Sequence, residues 1–224
     1  LLIACWSAKG GAGATVVATG LALALSRSAP LGALLVDLAG DVPVALGMAE
    51  PGGTGVLDWL ATDAAEPSAL ARLECAAAPG LGVLPAGAPG PWRSVRRERV
   101  AALADLLGGD PRAVVVDCGT IGPGATGPGV AMAAGACRSL LVTRPCFLSL
   151  RRAHAAPLRP SGVVLVREEG RTLGRRDVEE TLGVPVVAEL DVDPAVARAV
   201  DAGLLSSRVP RALARVAQAV GVAA

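Results

Sequence analysis

The stretch LLIACWSAKGGAGATVVA, residues 1 to 18, runs from an apolar segment through a glycine cluster straight into a helix start. Few local patterns restrict a fold more. Backbone N–H groups in such a strand-to-helix turn curl around a phosphate, and the helix N-terminus adds partial positive charge. Gly10, Gly11 and Gly13 permit the conformations and close approach that a phosphate nest demands. Thr15 follows where the hydroxyl of a phosphate-binding loop meets Mg²⁺. Ala14 occupies the place where the G-x-x-x-x-G-K-[ST] pattern carries its lysine. Lys9, at the mouth of the loop, is the only lysine in a chain with 21 Lys and Arg together. Taken alone, the loop also reads as a tight turn without a ligand.

The rest of the chain supplies the context that such a loop needs. Short apolar runs at Leu1–Ser7, Ala33–Asp37, Leu81–Pro85, Ala113–Asp117, Ser139–Thr143, Gly162–Arg167 and Pro185–Glu189 read as strands. Helical patterns fall at Ala14–Arg27, Gly55–Ala61, Val95–Leu107, Arg175–Leu182, Pro194–Ala202 and Arg211–Val220. This alternation predicts an α/β fold of βαβ units, with a mostly parallel sheet covered by helices on both faces. The glycine- and proline-rich segments 119–129 and 85–91 are predicted to be loops. No repeat or linker divides the 224 residues, so one domain is expected over 1–224.

Two of the strands end in aspartate: Asp37 closes ALLVD and Asp117 closes AVVVD. A ligand of an open parallel sheet lies beyond the carboxyl ends of its strands. Thr15 with Asp37 and Asp117 behind it is therefore the expected Mg²⁺ arrangement, although a strand-end aspartate alone also serves as a cap or turn former.

Composition closes off other classes. The chain is 52% hydrophobic with a formal charge of +1, so it can bury a core and carries no field that draws nucleic acid or membrane. Its aromatics, Trp6, Trp59, Trp92 and Phe147, are too few for a base-stacking platform. Five cysteines, at 5, 75, 118, 137 and 146, form no C-x-x-C pair, which speaks against a disulfide framework or zinc site and for reduced thiols in a cytosolic protein. An iron–sulfur ligand role for Cys118 finds no second cysteine at suitable spacing. The opening LLIACWS lacks the basic start of a signal peptide, and its missing Met is read as a trimmed terminus or an excised domain.

With these residues in view, the chain resembles the ParA/MinD group of P-loop ATPases over nearly its whole length. KGGAGAT is similar to that group's deviant Walker A motif, K-G-G-x-G-K-[ST], LLVDLAGDVPVALGM to its Walker A′ segment and AVVVDCGT to its Walker B. The closing third, from SGVVLVREEG to AVDAG, matches as well. The resemblance implies a P-loop NTPase fold that takes ATP and Mg²⁺, with Gly10, Gly11, Ala12, Gly13, Ala14, Thr15 and Val16 around the nucleotide. It gives Lys9 the role of the signature lysine that reaches the phosphates of a partner subunit, hence a homodimer. Asp37 and Asp117 take the acidic catalytic and metal positions, and Arg167 stands where an asparagine reads adenine.

The departures from that pattern are informative. Ala14 cannot neutralise phosphate charge, and Ala39, in place of the second aspartate of D-x-D, cannot orient water. Asp41, two residues on, is a candidate substitute. Nucleotide binding with slow or absent hydrolysis is expected. A small residue at the lysine position is similar to the CpaE/TadZ-like branch, which implies a positioning role for a Tad/Flp pilus, secretion or septum apparatus and, as in many members, an N-terminal receiver-like domain, here read as absent or trimmed away. Such a protein works in the cytoplasm or is recruited to the inner membrane face or cell pole. An active ParA-type partition ATPase that binds DNA, and a nucleotide-independent scaffold that self-assembles, are the alternatives.

Three further segments invite a functional reading beside a plain one. The basic cluster PWRSVRRER, 91 to 99, is a DNA-contacting patch or, preferably, a solvated helix face. The tail VPRALARVAQAV has Leu213, Val216, Ala217 and Val220 at helical spacing, which suits docking on the sheet better than peripheral membrane association. His154 has no catalytic partner in the sequence and reads as a surface or helix-end residue.

Overall fold

The computed structural model describes residues 1–49, 52–88, 95–207 and 211–220. Eight strands form one sheet: β1 (Leu2–Ser7), β2 (Ala33–Asp37), β3 (Cys75–Ala78), β4 (Leu81–Leu84), β5 (Ala113–Thr120), β6 (Arg138–Thr143), β7 (Gly162–Arg167) and β8 (Val186–Asp191). Their spatial order is β3-β4-β2-β5-β1-β6-β7-β8, and every neighbouring pair is parallel except β3 with β4. β1 therefore lies centrally, and the chain leaves it toward β2 on one side and later returns to β6 on the other. A crevice opens where the order reverses in this way, at the carboxyl end of β1.

Side chains of each strand alternate between two cores. Leu2, Ala4 and Trp6 point into one, Ile3 and Cys5 into the other. The first core is roofed by α3 (Val56–Ala61), α4 (Pro67–Ala71), α5 (Arg97–Gly108), α6 (Pro128–Gly135), α7 (Phe147–His154) and α8 (Arg175–Leu182). The second is roofed by α1 (Ala14–Ser28), α2 (Val42–Leu46), α9 (Pro194–Asp201) and α10 (Arg211–Ala219). Helices thus cover both faces, as the double-sided hydrophobicity of the strands requires.

Several expectations need adjustment. Segment 119–129 is not loop throughout: β5 continues to Thr120, which pairs with Ser7 past a bulge, and α6 starts at Pro128, a residue preset for a first helical turn. The helix expected from Val95 begins at Arg97, because Arg96 keeps an extended backbone. α7 escaped the periodicity reading because two of its three large apolar residues, Phe147 and Leu148, face outward while Ser149, Leu150 and Ala153 are buried. Edge strand β3 is mostly alanine, a poor strand signal. α2 and α4 are five-residue turns, each with a proline at its start.

The C-terminal helix docks as expected. α10 buries Leu213, Val216 and Ala217 against α1 and β8. Among the described residues no helix is long and apolar enough to cross a membrane. Gly20, in the middle of α1, permits the docking: a Cβ there would lie 2.7 Å from Leu213 Cβ. Alanine normally gains about 1 kcal/mol over glycine inside a helix. Gly20→Ala is instead expected to lower stability by about 1–3 kcal/mol through overpacking, read as a reduced midpoint in urea unfolding. His154 ends α7 and is exposed, and all five cysteines are free. Within the basic cluster, residues 91–94 lie outside the described residues. Arg96 pairs with Asp63 at 2.6 Å, and Arg99 stacks on Trp59, 3.9 Å from the ring centroid, while bonding two carbonyls.

Candidate functional site

The loop between β1 and α1 stands at the crevice. Gly11 and Gly13 adopt left-handed backbones, φ 77° and 96°, which place successive N–H groups on one concave side. Gly13 caps α1 and accepts only the Val17 N–H, so the N–H groups of Ala14, Thr15 and Val16 remain free of intrahelical partners. No acidic side chain occupies the first turn of α1 to compete for an anion. Lys9 and Thr15 are half-buried at the loop, and Gly10 faces Thr120 Oγ1. Ala14 turns its methyl into the core beneath α1.

Asp37 and Asp117 sit directly opposite each other on β2 and β5 and are fully buried on the α1 side of the sheet. Their surroundings separate their roles. Asp37 Oδ1 accepts the N–H groups of Ala39 (2.8 Å) and Gly40 (2.7 Å), and Oδ2 accepts that of Val42 (3.1 Å). The carboxylate is thus a brace for the 38–42 segment, and ligating a metal would compete with these bonds. Burial raises its pKa while the three N–H groups pull it down.

Asp117 is less committed. Oδ1 accepts the Gly119 N–H at 3.0 Å, whereas Oδ2 is buried without a hydrogen-bond partner. Burial pushes its pKa up to about 6, opposed by the nearby Thr15 hydroxyl and the Gly119 N–H and aided by the charges of Asp37 and Asp41. A buried orphan oxygen costs free energy until something binds it. With Thr15 alongside, the donor set of hydroxyl and carboxylate fits a hard cation such as Mg²⁺.

Ala39 is exposed beside this pair, and a Cβ on Gly119 would meet its methyl at 3.1 Å. Asp41 is also exposed and its side chain does not cap α2. Among the described residues no group of three or more His, Cys, Asp or Glu could hold a metal by itself. Buried Cys118 has its thiol pKa raised, which keeps it an inert apolar neighbour.

A cavity of about 210 Å³ continues from the loop, lined by Ala12, Gly13, Val16 and Val17 on one side and by β7, β8, α9 and α10 on the other. Its walls are mostly valine and leucine, and polar groups, Arg144, Asp191, Asp193 and Asp201, are few. A flat heteroaromatic base suits such a slot. Arg167 does not line it. Its guanidinium is exposed and bridges Asp191 at 2.8 Å and Glu189 at 3.3 Å, so it touches the cavity only through Asp191.

The structure thus gathers Lys9 to Val16, Asp37 and Asp117 at one edge and leaves Arg167 at the rim. Sequence reading missed Arg144, which directly follows Thr143, the last residue of β6. A charged residue at the end of an apolar strand, the signal that marked Asp37, could have found it. It also missed the β8 and α9 walls, which only the folded chain brings to the loop.

Comparison with known proteins agrees with this geometry. The model of the CobQ/CobB/MinD/ParA nucleotide binding domain matches residues 3–206. No curated protein shows a match to the chain. Among solved structures, a chain of the MinC:MinD cell division complex of Aquifex aeolicus superposes with TM-score 0.79 at 18% identity, covering 100% of this chain and 96% of its own. A ParA family ATPase from Chlorobium tepidum gives 0.75 at 21%, covering 97% of each chain. The septum site-determining protein MinD of Pyrococcus horikoshii, complexed with Mg-ADP, gives 0.74 at 21%, covering 100% and 98%.

Proposed function

Since the chain belongs to the CobQ/CobB/MinD/ParA nucleotide-binding family, we propose that it binds ATP with Mg²⁺ and uses it as a switch for dimerisation, with little or no hydrolysis. The observation that carries this reading is the fully buried Asp117, whose Oδ2 has no partner beside Thr15 and the glycine loop. Thr15 and Asp117 would hold the metal, which supplies charge to the phosphates. The loop N–H groups bind the phosphates, and the apolar cavity takes the base.

Turnover lacks its means. Ala39 offers no group to orient water, Ala14 no charge, and Asp37 is occupied with the backbone. Lys9 projects at the mouth of the loop without a hydrogen bond or ion pair among the described residues. Its charge is felt by Cys146, whose thiol pKa burial raises but the Ser149 hydroxyl and N–H, Lys9 and Arg171 bring below the ordinary value. A cation so placed suits the phosphates of a facing subunit.

The partner apparatus in this proposal is a Tad/Flp pilus, secretion or septum machine, with recruitment to the membrane face or pole. What supports it is the similarity of the alanine-bearing loop to the CpaE/TadZ-like branch. The DNA-binding partition reading finds less support, because Arg96 and Arg99 are engaged within the chain. Light scattering with and without Mg-ATP tests the switch. The dimer is expected to form only with nucleotide. Dimers or filaments that form equally well without it would replace this proposal with the self-assembling scaffold.

A further inference from the structure

A nucleotide's phosphates carry charge that the loop must meet without a lysine at position 14. Four cations stand near the carboxyl edge of β1, β6 and β7, and Arg171 is held by Glu168 at 2.7 Å. Arg167 is held by Asp191 and Glu189, and Lys9 lies at the mouth of the loop. Arg144 is different. β6 pairs with β1 so that Leu141 lies opposite Trp6, which brings the end of β6 level with the start of the loop. Arg144 lines the same cavity as Ala12, Gly13 and Val16.

Arg144 is also under-used. Its Nε is buried and has no hydrogen-bond partner. Its ion-pair contact among the described residues is a loose 3.8 Å to Glu168 Oε1, and Arg171 holds the other oxygen of that carboxylate at 2.7 Å. A buried unpaired donor is costly unless an acceptor reaches it. An acceptor held in the cavity that Arg144 lines would meet a guanidinium whose planar fork of donors matches a phosphate oxygen pair.

We propose that Arg144 binds the phosphate chain of a nucleoside di- or triphosphate and supplies there the positive charge that Ala14 lacks. The proposal rests on the nucleotide reading above. It assigns charge neutralisation to the arginine that follows β6 and approaches from the cavity side, in place of the helix-start lysine.

Calorimetric titration of ADP into the chain, repeated across a range of NaCl concentrations, tests it. Arg144→Gln keeps bulk and removes charge, and is expected to weaken ADP about 10- to 100-fold and to flatten the salt dependence. Arg144→Lys should retain most of the affinity, and Glu168→Gln, which frees Arg144, should leave it equal or higher. An Arg144→Gln affinity within twofold of the unaltered chain would overturn the proposal, as would a loss with unchanged salt dependence. Should the unaltered chain itself bind no ADP, the nucleotide reading falls and this inference with it. Undiminished binding by Arg144→Gln removes the inference alone.

Discussion

Asp117→Asn is expected to make the ligand-free chain more stable at pH 7.5 while removing its response to Mg-nucleotide. Burial lifts the Asp117 pKa from 3.8 to about 6. Well below pH 4 the acid is neutral in both folded and unfolded chains, and the fold has its full stability. Between the two values the unfolded chain ionises first, and stability declines. Above about pH 6 the folded chain carries a buried carboxylate with one unpartnered oxygen, at a cost of about 3 kcal/mol.

Asparagine removes the charge that carries most of that cost, and its carbonyl can still accept the Gly119 N–H. In a chain this long, the thermal midpoint should rise by on the order of 5–10 °C at pH 7.5 and change little at pH 4. The same variant loses the anionic oxygen that a cation needs, so Mg²⁺ should no longer strengthen nucleotide binding. Differential scanning calorimetry at the two pH values, with and without Mg-ADP, checks both halves. A midpoint that falls at pH 7.5 would show that Asp117 stabilises the fold, and an unaltered Mg²⁺ effect would remove it from the metal.

Lys9→Ala is expected to break dimerisation while sparing the monomer's own site. Lys9 is half-buried at the start of the loop, without an intrachain ion pair among the described residues. A charge-assisted contact from its ammonium to a facing subunit's phosphates, made twice in a symmetric dimer, is large on the scale of a dimer interface. Its loss should weaken nucleotide-dependent association by roughly 2–4 kcal/mol, or about 30- to 800-fold. Nucleotide affinity of the isolated monomer should change by no more than about threefold, since the loop N–H groups, Thr15 and Asp117 are untouched. Sedimentation across a concentration series with Mg-ATP measures the first, and calorimetry at low protein concentration the second. Equal association constants for Lys9→Ala and the unaltered chain would leave Lys9 a local feature of its own loop.

The parts of this site carried by contiguous residues were legible in the sequence. LLIACWSAKGGAGAT gives strand, turn and helix in immediate succession, and the left-handed Gly11 and Gly13 fall where the turn demands them. ALLVD and AVVVD placed two carboxylates at the edge of a parallel sheet, and they lie side by side. Their different occupations were not legible. Asp37 is held by N–H groups of the β2–α2 turn, whose shape follows from folding, whereas Asp117 Oδ2 has no hydrogen-bond partner although the Thr15 hydroxyl stands nearby.

The cavity walls were hidden for a related reason. Val166, Leu190 and Val196 are remote from Gly13 in sequence and reach it only through the right-handed crossovers of a parallel sheet. Arg144 was hidden among many arginines, although it directly follows an apolar strand. α7 was obscured because periodicity marks buried faces, and Phe147 at 73% and Leu148 at 47% exposure contradict the usual pattern.

A loop without its lysine is expected still to hold a nucleotide through its backbone, Thr15, Asp117 and the arginine that follows β6. Isothermal titration of Mg-ATP into the purified chain tests it most directly. Saturable binding at one nucleotide per chain, weakened when Mg²⁺ is removed and insensitive to Mg²⁺ in Asp117→Asn, is the expected result. No heat and no saturation up to millimolar Mg-ATP would contradict it.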